Sequence, residues 1–330
     1  MYYLKRLMQL DYRRMFNILK KISKRSSKSI LFILIDIIRC SRKYGSGYMD
    51  YYCFGFENLS EEQRSTYITR TISNNYCKKM NDPAYYYVME DKPTFLKTYK
   101  NYIKRDYIDL RNGTYNEYLT FISEHTKFIA KPCDELCGVG IEVIDSADYS
   151  IDNLYKKLCD NKQYLLEELI DQCEELNRLY NKAINTIRVV TCNNDGEVSI
   201  LFQCLRMGNG GSIDNFNHGG IFTIIDEDNC ISRPACDKDG NEYNKHPYSG
   251  VDIIGFKVPM MKEVHELVKE MALITPEIGY CGWDIALSKS GPCVVECNEM
   301  PGYDLYQYPA HLRPKYIGLK PLFDKKIYSK

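Results

Sequence analysis

The spacing of hydrophobic and polar positions changes along the chain, from a helical period to a strand-like alternation. Over residues 1–89, apolar side chains recur every three or four positions, which predicts a mainly helical region. A helix is expected to start at Ser60, because Gln63 follows three residues later as in a capping box. Residues 41–56 are rich in glycine and tyrosine and predict a loop, whereas residues 91–110 predict a further helical stretch.

Beyond residue 110, short strand-like runs dominate, and two hairpins are predicted with turns at residues 193–196, which contain Asp-Gly, and 288–291. Helices in one part and strands in another predict the α+β class. The predicted elements are strand 126–132, strand 138–145, helix 152–162, strand 164–170, strands 186–192 and 198–206, helix 259–275, and strands 282–287 and 293–298.

The composition is that of an ordinary globular protein. With 330 residues the chain is long enough for about two domains. Hydrophobic residues make up 44% and charged residues 27% of it, and this composition excludes a disordered or collagen-like chain. Forty-four basic and 44 acidic residues cancel, which disfavours a generally basic nucleic-acid or membrane-surface binder. The 14 cysteines are scattered without a CxxC pair, so free thiols are expected.

Neither a membrane span nor an export signal is predicted. The longest apolar run, residues 30–38, contains Asp36 and is far shorter than the about 20 residues that a span requires. The basic N-terminus lacks the apolar core of a signal peptide, which predicts a cytoplasmic protein. Rossmann and P-loop nucleotide sites are excluded, because neither glycine-rich motif is present.

The last predicted hairpin carries three oxygen donors. Glu296 and Asn298 point to one face of their strand, and Asp284 on the partner strand lies near Glu296 if the turn is centred near Gly291. Carboxylate and amide oxygens are ligands that Mg²⁺ prefers. The alternative is a polar stripe that faces solvent, although both strands are otherwise apolar and a buried charge requires a partner.

Two lysines are candidates for phosphate binding. Lys131 ends a predicted strand, and the loop that follows contains Gly138 and Gly140, whose backbone N–H groups can surround an anion. The alternative is an ordinary surface turn. Lys92, in the sequence Glu-Asp-Lys-Pro, is equally ambiguous by itself.

Two arginines and two acids lie in or beside apolar strands. Arg188 interrupts one strand of the first hairpin and Arg206 ends the other, and buried arginines require an anionic partner from protein or ligand. Residues 165–170, LLEELI, contain Glu167 and Glu168 and either contact a nucleotide or form the rim of a strand. The glycine-rich residues 207–220 either approach a ligand closely or form a mobile loop.

The order of these segments is more specific than any one of them, and it resembles the ATP-grasp superfamily. The likeness runs from about Lys92 to Gly302 and is closest to the sugar-transfer-associated ATP-grasp proteins of polysaccharide gene clusters. The chain is more distantly similar to ribosomal-protein glutamate ligases and glutathione synthetase. The segments are Lys92, AKP with its glycine loop (131–140), LLEELI (165–170), NTIRVV (185–190), NHGG (217–220), GWDIA (282–286) and VVECNEMPG (294–302).

The resemblance implies a fold in which two α+β subdomains grip ATP, and it implies a role for each matching residue. ATP would be bound by Lys92, Lys131, Gly138, Gly140, Glu167, Glu168, Leu169 and Ile170. Two Mg²⁺ ions would be held by Asp284, Glu296 and Asn298. The catalytic residues would be Arg188, Lys131 and Arg206, and the residues that contact substrate would be Asn217, His218 and Gly219.

The activity implied by the resemblance is ATP-dependent joining of a small carboxylate to an amine through an acyl-phosphate, on a cell-surface polysaccharide or its sugar-linked precursor. The alternatives are a kinase of the same fold that phosphorylates a sugar or polyol hydroxyl, and a non-catalytic nucleotide-binding scaffold. The expected organisation is a helical region (1–90), two ATP-grasp subdomains (91–170 and 171–310) and a tail (311–330). Two features depart from the family: the phosphate loop contains Cys133 and Cys137, and residues 1–90 are predicted to be helical rather than Rossmann-like.

Overall fold

The computed structural model describes residues 11–134, 139–211, 214, 216 and 219–329. The chain forms two compact units, of which unit 1 comprises Met1–Lys79 with Gly302–Lys330 and unit 2 comprises Met80–Pro301. The boundaries expected after residues 90, 170 and 310 stay a prediction. In the described part of the chain, no helix is long and apolar enough to cross a membrane.

Unit 1 is helical, as the spacing of its apolar residues predicts. The first two helices begin at side-chain caps, because Asp11 accepts a hydrogen bond from the backbone of Arg14 and Ser29 accepts one from Phe32. The helices are α1 (Tyr12–Ser26), α2 (Ile30–Tyr44), α3 (Tyr48–Cys53), α4 (Glu61–Ser65), α5 (Arg70–Met80), which ends at the unit boundary, and α13 (Lys320–Ile327), with 3-10 turns at Phe56–Asn58 and Tyr303–Gln307.

The loop predicted over residues 41–56 is wrong, because this segment contains the end of α2 and all of α3. Its glycines mark helix ends: Gly45 has a positive φ of 65° after α2, and the Asp50 side chain accepts from the backbone N–H of Gly47 in a capping arrangement. Tyr51 is fully buried and donates a 2.8 Å hydrogen bond to Asp36. Tyr51 therefore belongs to the core of unit 1, and Tyr44, Tyr48 and Tyr52 pack against that core.

Unit 2 contains a four-stranded antiparallel sheet in the order β1-β4-β2-β3. Its apolar face packs against two helices through a cluster that includes Phe128, Leu158 and Leu166. The elements of this part are α6 (Tyr87–Glu90), α7 (Lys92–Thr98), α8 (Lys100–Ile103), β1 (Tyr107–Asp109), α9 (Tyr115–Glu124), β2 (Lys127–Lys131), β3 (Glu142–Asp145), α10 (Ile151–Asp160) and β4 (Leu165–Glu168), with 3-10 turns at Pro83–Tyr85 and Ser146–Asp148.

A second antiparallel sheet of unit 2 has seven strands in the order β11-β10-β5-β6-β7-β8-β9. One of its faces packs in the largest core cluster, with Val264 and Val268 of an amphipathic helix and Trp283 of the sheet. The elements are α11 (Glu174–Leu179), β5 (Thr186–Asn194), β6 (Glu197–Met207), β7 (Ile221–Ile224), β8 (Ala235–Cys236), β9 (Glu242–Tyr243), α12 (Met261–Met271), β10 (Tyr280–Ser288) and β11 (Gly291–Asn298).

The structure confirms the α+β class and both predicted hairpins. The first hairpin turns at Asp195 and Gly196, which both have positive φ, as the Asp-Gly pair predicts. The helical stretch predicted over residues 91–110 is too long: α8 ends at Ile103, where Lys104 adopts a left-handed conformation, and the chain then pairs with β4 as strand β1. Pairing in the sheet there replaces the local helical preference.

Candidate functional site

Four residues form a row across adjacent strands of the large sheet. Cys204 on β6 pairs with Arg188 on β5, Arg188 pairs with Asp284 on β10, and Asp284 pairs with Glu296 on β11. Directly paired residues project from the same face of a sheet, so the row brings an arginine and two acids together. Arg206, two residues beyond Cys204 on β6, lies on the same face.

Asp284 is the centre of a buried charge network. Its carboxylate accepts bonds of 2.5 and 2.8 Å from Arg188 and of 2.7 Å from Arg206, and all three side chains are buried. Burial opposes ionisation, but the two guanidinium groups outweigh it and hold the pKa of Asp284 well below its usual range. Asp284 is therefore a permanent anion between two permanent cations.

Glu296 has the opposite electrostatic character. Its side chain is exposed in part, although protein atoms around the carboxyl group desolvate it. This desolvation and the negative charge of Asp284 raise the pKa of Glu296, and the two carboxyl groups share a hydrogen bond. Two carboxyl groups held this close repel each other when both are ionised. A cation between them would relieve that repulsion.

Asn298 adds an amide to this pair of acids. It follows Glu296 by two residues on β11 and is paired with Gly282. Its amide nitrogen is buried and has no hydrogen-bond partner among the residues that the structure describes. The amide oxygen of Asn298 is a hard donor like the two carboxylate groups, and these three groups fit a Mg²⁺ ion, which takes few protein ligands and prefers oxygen. The unbonded amide nitrogen is a hydrogen-bond donor and suits an acceptor such as a phosphate oxygen. The donor set predicted from the sequence is thus assembled in one place.

A β-bulge places Glu296 opposite Asp284. Between these two residues and the next pair, Ile285 with Val294, the register shifts by one, so that Val295 is the extra residue. Arg105 binds this bulge by donating a 2.7 Å bond to the carbonyl of Val294. The bulge is therefore held by a buried side chain from outside the hairpin.

Arg105 also links the bulge to residues 165–170, the segment that is predicted to contact ATP and that we call the hinge. It donates a 2.5 Å bond to Glu167, and the other carboxylate oxygen of Glu167 forms an ion pair with Lys131. Burial opposes the ionisation of Glu167, but these two cations outweigh it and lower its pKa to about 2. The carboxylate of Glu167 is thus held by protein cations and fixes Lys131.

The two predicted phosphate lysines lie near each other. Lys131 is buried at the end of β2, and the backbone N–H of Lys92 donates a 3.1 Å bond to the carbonyl of Cys133 just beyond it. Burial and the positive charge of Lys131 lower the pKa of Lys92, while the negative charge of Glu296 partly offsets this effect. The ammonium groups of Lys92 and Lys131 repel each other, and a polyphosphate bound between them would relieve that repulsion.

The remaining predicted residues of the loop and hinge lie around this centre. Gly140 has a φ of +74°, and a Cβ there would come within 2.8 Å of Pro132, so the position requires glycine. Glu168 accepts a 3.0 Å bond from the backbone of Asp106, and Leu169 and Ile170 are half-buried after β4. Gly219 also has a positive φ. Gly138, Asn217 and His218 lie outside the described residues.

Two buried residues of the site were missed in the sequence. Arg105 lies in a polar run with no distinctive spacing, and its partner Glu167 is 62 residues away. Asp214 accepts a 3.0 Å bond from the backbone of Thr186 and forms a 3.4 Å ion pair with Arg206. Burial raises the pKa of Asp214 although Arg206 opposes it. Asp214 could have been noticed in the sequence, because it is the single acid in the glycine-rich residues 207–220.

A protein family described as sugar-transfer associated ATP-grasp matches residues 71–314. Among curated proteins, none matches this chain. Solved structures with a similar fold include the D-alanine-D-alanine ligase from Coxiella burnetii, at 10% identity and a TM-score of 0.44, covering 73% of this chain and 57% of that chain. The ATP-grasp ligase PsnB, complexed with a minimal precursor, has 14% identity and a TM-score of 0.45, covering 76% of this chain and 64% of that chain.

D-alanyl-alanine synthetase A from Vibrio cholerae has 13% identity and a TM-score of 0.44, covering 73% of this chain and 64% of that chain. This chain thus spans less than two thirds of the length of each of the three solved proteins. Identities and TM-scores this low do not transfer an activity. The family match covers most of the chain, and it confirms the ATP-grasp fold that the order of motifs predicts.

Proposed function

Because the chain belongs to the sugar-transfer associated ATP-grasp family, we propose that it is an ATP- and Mg²⁺-dependent ligase that joins a carboxylate to an amine through an acyl-phosphate. The observation that carries this proposal is the row of Arg188, Asp284 and Glu296 across three strands, with two lysines nearby. Such a site combines oxygen donors for a divalent cation with positive charge for a polyphosphate.

Each group of residues has a proposed task. Asp284, Glu296 and Asn298 would hold Mg²⁺, which, when bound, neutralises charge on the phosphate oxygens. Lys92 and Lys131 would bind the phosphates of ATP. The role of Lys131 is supported by its buried ion pair with Glu167, because this ion pair fixes the direction of the Lys131 side chain at the end of its strand.

The reaction would proceed in two displacements. A carboxylate oxygen of the first substrate attacks the γ-phosphorus of ATP, the bond from phosphorus to the bridging oxygen breaks, and ADP leaves. The amine of the second substrate then attacks the acyl carbon, phosphate leaves with the bonding electrons, and the nitrogen loses a proton. Arg188 and Arg206 would stabilise the negative charge on the transferred phosphoryl group and on the acyl oxygen.

The substrates follow from the family rather than from the site. A family associated with sugar transfer supports a sugar-linked acceptor, on a cell-surface polysaccharide or its precursor, and the proposed location of the reaction is the cytoplasm, where ATP is available. No nucleophilic side chain is needed in this chemistry, which agrees with a site built from arginines, lysines and acids. Residues 217–219 are proposed to contact the acceptor.

Trapping of the acyl-phosphate by hydroxylamine tests the reaction class. The protein is incubated with ATP, Mg²⁺, hydroxylamine and a panel of amino acids, small carboxylic acids, sugars and polyols. Hydroxamate, phosphate, ADP and phosphorylated sugar are measured. We expect hydroxamate with at least one acid, and none with Glu296→Gln. Formation of ADP and a phosphorylated sugar without hydroxamate would overturn the ligase proposal in favour of a kinase. The matched control is Lys127→Ala, which removes an exposed lysine of β2.

A further inference from the structure

The positive charge of this chain is concentrated in its first two described helices. Residues 11–44 contain ten lysines and arginines but only Asp11 and Asp36 as acids, although the whole chain has a net charge of zero. Asp36 is buried in an ion pair with Arg64 and adds little negative potential at the surface. Three of the ten basic side chains form ion pairs elsewhere in unit 1, Arg25 with Glu57 and both Arg39 and Lys43 with Glu61. The other seven leave the surface of α1 and α2 basic, which the balanced composition conceals.

The same surface exposes a stripe of large apolar side chains. Helix α2 buries one side, including Ile33 and Ile37, in the core of unit 1. Its other side exposes aliphatic and aromatic residues at a spacing of one, four and seven positions, which forms one continuous stripe on a helix. These are Leu31 (68% exposed), Phe32 (52%), Ile35 (58%) and Ile38 (47%).

Basic side chains border this stripe. The ammonium group of Lys28 lies 5.6 Å from the centre of the Phe32 ring, and that of Lys20 lies 4.7 Å from the ring centre of Phe16, which is itself exposed on α1. Arg42 is exposed one turn beyond Ile38. Apolar side chains flanked by lysines and arginines form the pattern of helices that lie in a bilayer interface.

We propose that the α1–α2 surface, defined by Phe16, Lys20, Lys28 and the exposed stripe of α2, docks on the surface of an anionic phospholipid bilayer. The apolar side chains would enter the boundary between headgroups and acyl chains, and the basic side chains would contact lipid phosphates. The helix lies on the membrane and does not cross it, because fifteen residues extend only about 22 Å and include the buried Asp36.

An anionic membrane fits these observations better than an acidic protein. The continuous stripe of leucine, isoleucine and phenylalanine side chains can enter the apolar phase of a bilayer, which accepts them without matching pockets. The positive charge is spread over several turns of two helices rather than focused on one place, which suits a surface of many equivalent phosphates. Docking of this kind would bring the protein to acceptors carried in a membrane, and it does not depend on the activity proposed above.

Flotation of the full chain with lipid vesicles tests this proposal in the absence of ATP. We expect the protein to float with vesicles of phosphatidylglycerol and phosphatidylcholine, not with phosphatidylcholine alone, and less at high salt. The triple variant Leu31→Ser, Ile35→Ser, Ile38→Ser should bind at least about tenfold more weakly. Its matched control, Leu273→Ser with Ile274→Ser, removes exposed apolar residues of unit 2 and should bind normally.

Charge is tested in the same assay. Lys20→Glu with Lys24→Glu should lose at least about tenfold in affinity, whereas Lys182→Glu with Lys238→Glu, which changes the net charge equally at exposed sites of unit 2, should lose much less. Circular dichroism checks that each variant is folded. The proposal would be overturned if the folded wild type did not float with anionic vesicles, or if the serine triple variant bound as tightly as the wild type. The first of these results would favour a protein partner for this surface.

Discussion

Asp284 and Glu296 lie opposite each other on two strands, yet their removal should have different effects on stability. Asp284 is buried and accepts three hydrogen bonds from Arg188 and Arg206. Asp284→Ala therefore leaves two buried guanidinium groups without this partner, and breaking a buried ion pair in this way costs about 3–5 kcal/mol. We expect the folded unit 2 to lose most of its stability margin.

Glu296→Gln should leave the free energy of unfolding almost unchanged. The side chain keeps access to solvent, and the carboxyl group that it loses is repelled by Asp284. The isosteric amide removes that repulsion while filling the same space, so the change should stay within about 0.5 kcal/mol. Both variants should nevertheless lose the Mg²⁺ dependence of nucleotide binding. Asp284→Ala removes a ligand, and Glu296→Gln replaces a carboxylate by an uncharged amide, whose single oxygen binds a divalent cation more weakly.

Urea unfolding followed by tryptophan fluorescence measures this difference. Trp283 is the single tryptophan of the chain, is buried next to Asp284, and donates a 2.9 Å bond to Thr191, so its emission reports the unfolding of this sheet. We expect the unfolding midpoint of Asp284→Ala to fall by about 1 M urea or more relative to Glu296→Gln. Equal midpoints for the two variants would refute the role assigned to the buried network.

Three further changes test the connection between the hinge and the site. The pKa of Glu167 is lowered to about 2, so its ion pairs stabilise the fold above pH 4.5 and lose this effect as the pH falls toward 2. Glu167→Gln should therefore flatten the plot of unfolding free energy against pH between these values. An unchanged slope would contradict the ion pairs. Lys131→Ala should weaken binding of a non-hydrolysable ATP analogue by about tenfold or more in calorimetry, whereas Lys127→Ala should not. Equal affinities of these two variants for the analogue would contradict the proposal that Lys131 binds phosphate. Arg105→Met should weaken Mg²⁺-dependent nucleotide binding by ~tenfold, because the bulge loses its donor, and wild-type affinity would show that the bulge holds without it.

The hairpins, and the nearness of Asp284, Glu296 and Asn298 to one another, could be predicted because their signals are local. The Asp195-Gly196 turn defines the register of one hairpin, and alternation along a strand places Glu296 and Asn298 on one face. The short turn, which pairs Ser288 with Gly291, predicts that Asp284 lies near Glu296. A direct pairing does not follow from the turn, because without a bulge the partner of Asp284 would be Val295. The bulge that makes this pairing direct involves Val295, an ordinary apolar residue whose role is set by contacts elsewhere in the fold.

Features that depend on contacts distant in sequence could not be predicted. The buried pair of Arg105 and Glu167 joins residues 62 positions apart, and nothing in the sequence near Arg105 indicates that it is buried. The loop predicted over residues 41–56 was wrong because glycine and tyrosine occur at helix ends and in cores as well as in loops. The balanced net charge similarly concealed the basic surface of α1 and α2.

The central claim is that this site binds ATP together with Mg²⁺, and calorimetric titration of the wild-type chain with a non-hydrolysable ATP analogue tests it most directly. We expect binding that weakens when Mg²⁺ is removed, and binding by Glu296→Gln that is weak with or without Mg²⁺. Absence of nucleotide binding by the folded wild-type protein in both conditions would contradict the claim.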